Sequence, residues 1–101
     1  DIARCGITEG RRICELAQLY HTPVSLHQGV SSGVCIASSL QVAAGMTNVR
    51  YIEFQPPSLE ASRQYLKTPI FCEAGTWRLP EGPGLGIEID EQALASLGIE
   101  V

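Results

Sequence analysis

Residues 34–44, "VCIASSLQVAA", constrain this chain more than any other stretch. The run has helical length and is apolar on most of its surface. A helix here must therefore be buried on more than one side. Two short segments rich in β-formers flank it, "PVSLH" at 23–27 and "VRYIEF" at 49–54. Gly45 suits the helix C-cap, and Pro56 and Pro57 end the second strand. Upstream, a helix is predicted from Thr8 to Tyr20, with Thr8 as N-cap and Glu9 in its first turn. Ile13, Leu16, Ala17 and Tyr20 fall on one apolar stripe, while Arg11, Glu15 and Gln18 take the wet side. Pro23 stops this helix, and His21 reads as a surface residue at its end.

The order is thus helix, strand, helix, strand, with strands too short for one-sided exposure. That is the pattern of parallel βα units. It predicts two adjacent parallel strands near 24–27 and 49–54, with helices near 8–20 and 34–44 packed on one side and a right-handed crossover. After Pro57 the style changes. "SLEASRQYL" reads as a short helix, and "IFCEAGTWRL" as a hairpin turning at Ala74–Gly75. "PEGPGLGIEID" reads as a loop and a short extended piece, and "EQALASLG" as a last helical turn or two. A boundary is expected near Pro56.

A chain of 101 residues makes one small domain, and 45% hydrophobic residues are enough for a core. The net charge of −4, with Arg11 and Arg12 as the only adjacent basic pair, argues against nucleic acid and anionic membrane as partners. No apolar run reaches transmembrane length, and the opening residues do not read as a signal peptide. Cys5, Cys14, Cys35 and Cys72 form no C-x-x-C pair, and with His21 and His27 they match no zinc spacing. Buried free thiols in a reducing compartment, the cytoplasm, are the expectation.

Three titratable residues recur at equal steps: Asp1, His27 and Glu53 stand 26 residues apart. One βα unit of a barrel takes a similar length, and the C-terminal strand ends of such barrels carry the active site. Equal spacing would set the three side by side on that rim. Equal steps also arise by chance, and no strand leads into Asp1. Spacing alone leaves both readings standing.

Two other motifs compete. "GVSSG" at 29–33 fits the G-x-S-x-G nucleophile elbow with Ser31 as nucleophile. The elbow requires a later histidine, and both histidines precede Ser31, so a loop capping the next helix is the better reading. "GPGLG" at 82–86 could cradle phosphate before a helix, but an extended "IEID" follows, so it reads as a turn.

"DIARCGITEGRRICELAQLY", "PVSLH", "YIEFQ" and "PEGPGLGIEID", in this order, resemble the C-terminal stretch of the mandelate racemase/muconate lactonizing enzyme family of the enolase superfamily. The resemblance covers essentially the whole chain. It implies an α/β fold: the last units of a (β/α) barrel, with Asp1, His27 and Glu53 ending the sixth, seventh and eighth strands. Residues 1–55 would be the end of the barrel, and 56–101 a C-terminal tail returning to the capping domain. The barrel would be incomplete, and the chain a fragment of an enzyme. Where relatives carry two glycines, this chain has only Gly6.

The resemblance also implies the chemistry. Members remove the proton next to a carboxylate, with Mg²⁺ stabilising the enediolate and a Lys or His as base. His27 would be the general acid/base, Asp1 its dyad partner, and Glu53 would face the substrate carboxylate or its developing oxyanion. The metal ligands and the lysine base belong to earlier strands, so Mg²⁺ is expected in the full-length parent and not in this chain. The parent is expected to be an acid-sugar dehydratase, with a racemase, epimerase or cycloisomerase as the alternative. A homo-oligomeric parent acting on a small carboxylate is expected, and an inactive fragment. From another class, a small non-enzymatic α/β binding module remains the competing reading.

Overall fold

The computed structural model describes residues 1–98. Helix α1 (Ile2–Leu19), strand β1 (Val24–Leu26), helix α2 (Gly33–Ala44) and strand β2 (Val49–Ile52) come first. Helix α3 (Pro56–Ser62), strands β3 (Cys72–Glu73) and β4 (Thr76–Trp77), and helix α4 (Glu91–Ser96) follow.

β1 and β2 are adjacent and parallel, as expected. Leu26 pairs with Ile52 and Ser25 with Tyr51, after an irregularity next to Val24. Both strands are shorter than predicted. His27 and Glu53 lie just past them, although the Glu53 N–H still donates to the Leu26 carbonyl at 2.9 Å. Side chains alternate between faces along a strand. Leu26 is buried beneath the helices, with Ile2, Cys14, Cys35 and Val42. Ser25 and Tyr51 stand exposed on the other face.

α2 is buried on two sides. One side faces α1 and the strands through Cys35 and Val42. The other presents Ile36, Ala37 and Leu40 to Leu59, Leu66 and Ile70 from the segment after Pro56. Each of the buried Ile and Leu side chains contributes roughly 1.5–3 kcal/mol. Ser32 caps α2 by accepting the Cys35 N–H at 3.3 Å. The Tyr65 hydroxyl accepts the Gly33 N–H at 2.7 Å, and Gln41 Nε2 donates to the Pro80 and Leu85 carbonyls at 3.1 and 3.2 Å.

Two expectations are corrected. α1 begins at Ile2, not Thr8: Asp1 caps it, and Gly6, at φ 75° and ψ 172°, breaks it into a first turn and a long segment. The stripe of Ile13, Leu16 and Tyr20 is 55%, 58% and 75% exposed, while Gly10 and Cys14 are buried and Ala17 is half-buried. Cys14 joins Cys35 and Val42 of α2 in one buried cluster, while Gly10 leaves room for the Ile2 side chain of α1's own first turn.

The short helix starts on Pro56 and ends at Ser62. Proline has no N–H to bond in a first helical turn, so the pair that stops the strand also opens α3. The hairpin turns at Ala74–Gly75 as expected. Both residues have positive φ, 49° and 76°, as a type I′ turn requires. The extended "IEID" pairs through Ile89 with Leu66, and Asp90 caps α4 by accepting the Ala93 N–H at 3.0 Å. The last three residues of the expected tail lie outside the described residues.

Candidate active site

His27 and Glu53 leave neighbouring parallel strands at the same end and on the same face, opposite the helices. Asp1 reaches them from the N-cap of α1. Its Oδ1 accepts the Ala3 N–H at 2.9 Å, and its Oδ2 lies 3.0 Å from His27 Nδ1. On the other side of the ring, Nε2 lies 3.5 Å from Glu53 Oε2. All three predicted residues therefore meet, with the imidazole between two carboxylates.

Glu53 is held firmly. Its Oε2 accepts the backbone N–H groups of Gln28 and Gly29 at 3.0 and 3.3 Å. Its Oε1 accepts from Gln55 Nε2 at 3.2 Å. The Gln28 N–H, more than any other group, lowers the carboxyl below its ordinary pKa. Partial desolvation opposes this, while Gly29, Gln55 and the charge of His27 add to it. Glu53 is accordingly an anion at neutral pH in the free protein.

A carboxylate accepts and does not donate. Asp1 therefore selects the tautomer with the proton on Nδ1, and Nε2 becomes the position that exchanges protons. The ring is 62% exposed at its side chain, open to a reactant. Chemically, the trio can take a proton on Nε2, hold the resulting cation between two anions, and return the proton.

The backbone donors of Gln28 and Gly29 and the side chain of Gln55 escaped the reading of the sequence. Only Gly29 left a signal there, as a glycine two residues after the histidine. The Ser31 hydroxyl donates to the Gln28 carbonyl. His21 stands exposed at the C-terminal end of α1, the end remote from Asp1. All four thiols are free, and burial pushes those of Cys14 and Cys72 up, which disfavours the thiolate. Among the described residues no group of three His, Cys, Asp or Glu side chains could hold a metal ion. The trio itself does not fit one, because its carboxylate oxygens face backbone N–H groups and the imidazole.

The family model described as enolase C-terminal domain-like matches residues 1–93. D-Xylonate dehydratase of Haloferax volcanii is 33% identical over 99% of this chain and 24% of its own length. D-Galactarolactone cycloisomerase of Agrobacterium fabrum is 36% identical over 93% of the chain and 27% of its own. The chain thus spans about a quarter of the curated relatives that it matches. A solved member of the enolase superfamily from Agrobacterium tumefaciens superposes with a TM-score of 0.82 at 37% identity, over 89% of this chain and 23% of that one. With two parallel strand ends carrying the histidine and the glutamate, and a family match along nearly its whole length, this chain belongs to the enolase C-terminal domain-like family and forms part of its α/β barrel.

Proposed function

We propose that the intact protein carrying this segment is an acid-sugar dehydratase. The observation that carries the reading is an exposed histidine whose two ring nitrogens each face a carboxylate, at 3.0 and 3.5 Å. Nε2 of His27 removes the proton α to the substrate carboxylate, and the electron pair moves into that carboxylate to give an enediolate. As the pair returns, the β C–O bond breaks. His27 gives its proton to the leaving hydroxyl, which departs as water, and the resulting enol becomes a 2-keto acid. Asp1 keeps the ring oriented and steadies the imidazolium. Glu53 faces the reacting carboxylate. A substrate carboxylate bound there raises its affinity for a proton, so Glu53 takes one up from water as substrate binds and, once protonated, donates a hydrogen bond to the oxyanion while keeping that proton.

The D-xylonate dehydratase relative supports this reading, and the cycloisomerase relative supports an isomerase as the second. Mg²⁺ belongs to the proposal through ligands outside this segment. The same reading assigns residues after Pro56 to the capping domain, and makes the intact enzyme a cytoplasmic homo-oligomer that binds neither nucleic acid nor membrane.

The test is an assay of the intact protein, with Mg²⁺, against a panel of sugar acids, following 2-keto acid release and incorporation of solvent deuterium. Keto acid formation is expected. Exchange or lactone isomerisation without keto acid would move the assignment to an isomerase.

A further inference from the structure

Gly29 lies against two members of the trio, Glu53 and His27. Its N–H donates to Glu53 Oε2 at 3.3 Å. Its φ is +33°, in the region that favours glycine. A β-carbon built on it would stand 2.9 Å from His27 Cε1, and 3.6 and 3.7 Å from Nδ1 and Nε2. It would press on the carbon between the two ring nitrogens. Carbon atoms in ordinary contact sit about 3.5–4.0 Å apart, so something must yield by about 0.5–1 Å. The loop backbone is poorly placed to do so. Gln28 is only 1% exposed, and its N–H and that of Gly29 are both fastened to Glu53. The exposed imidazole is what moves.

We propose that Gly29 is a positioning residue: the lack of a β-carbon there lets the His27 ring lie over the loop with both nitrogens within reach of a carboxylate. This rests on the dehydratase reading for its kinetic consequence and on geometry alone for its structural one. A misplacement approaching 1 Å costs a positioned catalytic group up to about 100-fold.

The experiment uses Gly29→Ala and Gly29→Asn in the intact protein. Asparagine tolerates positive φ, so it keeps the β-carbon while relieving the backbone and stays testable where alanine fails to fold. Gly75→Ala is the control, since Gly75 has φ +76° with nothing within 4 Å of its β-position. In both Gly29 variants kcat should fall about 10–100-fold with KM within about 3-fold, while Gly75→Ala keeps the parent values. Crystal structures of the variants should show the ring displaced, with the Asp1 or Glu53 distance lengthened. Normal kcat with an unmoved ring overturns the proposal. So does a loss of kcat with the ring in place, or full activity in Gly29→Asn, which would assign the effect to φ alone. Ring displacement is read without turnover. A protein inactive on every sugar acid would therefore defeat the dehydratase reading while leaving this one to be decided by the crystals.

Discussion

The hydroxyl of Tyr65 accepts the backbone N–H of Gly33 at 2.7 Å, joining the segment after Pro56 to the first turn of α2. Tyr65→Phe keeps the ring and removes the acceptor, leaving a buried N–H without a partner. Such a loss costs about 1–3 kcal/mol. Thermal denaturation of the variant should show a lower Tm, with the spectroscopic content of helix and strand unchanged below it.

His27→Asn in the intact protein keeps hydrogen-bonding capacity and removes the titratable nitrogen. Turnover should fall by about 10²–10⁴-fold, the usual worth of a positioned acid/base. Fold and Mg²⁺ affinity should stay near the parent values, because His27 is not a metal ligand in this assignment. Near-normal turnover would return His27 to an ordinary loop residue.

Asp1 can be dissected because its two oxygens do different work. Asp1→Asn retains an oxygen for the Ala3 N–H but loses the charge beside Nδ1. Stability should change little and kcat should drop by about 10²-fold or more. Asp1→Ala should lose the same activity and in addition about 1 kcal/mol from the helix cap. Comparing urea midpoints with kcat for the pair separates capping from catalysis.

Glu53 has a lowered pKa in the folded protein, first through the Gln28 N–H. A carboxyl lowered on folding adds stability above its unfolded value, near 4.5. That contribution is lost as pH falls through the lower folded value. Glu53→Gln should therefore flatten this part of the acid limb and leave the neutral-to-alkaline profile unchanged. Denaturation midpoints measured at a series of pH values check it. A Glu53→Gln profile parallel to the parent's throughout the acid range would contradict the assignment.

Mg²⁺ requires near-octahedral oxygen coordination, which the described residues do not offer. Titration calorimetry of the 101-residue chain with MgCl₂ should show no saturable heat. A stoichiometric site would contradict the placement of the ligands elsewhere.

The strands and α2 were legible because β-formers, prolines and an all-round apolar helix leave few other arrangements. The equal spacing of Asp1, His27 and Glu53 was visible in the sequence, but it left chance standing beside function, and only the family resemblance gave the three residues roles. The kink at Gly6 was not, since a glycine marks a place where the chain can turn without saying whether helix continues on both sides. Periodicity found the apolar stripe of Ile13, Leu16 and Tyr20 but could not name its neighbour. It is Cys14, a residue with little hydrophobic weight, that joins Cys35 and Val42 of α2. Nor could the sequence reveal the donors that hold Glu53. Every residue but proline carries a backbone N–H, and only geometry selects those of Gln28 and Gly29.

The loop between β1 and α2 is fastened at both ends. Glu53 takes the N–H groups of Gln28 and Gly29, Tyr65 takes that of Gly33, and Ser31 closes the middle onto the Gln28 carbonyl. A segment tied to a strand end on one side and to an aromatic hydroxyl on the other cannot swing without breaking both. These ties make it a wall beside His27. The opening and shutting on the μs–ms scale that admits substrate to many enzymes is to be sought outside residues 28–33, in whatever approaches that wall from the exposed face of the sheet.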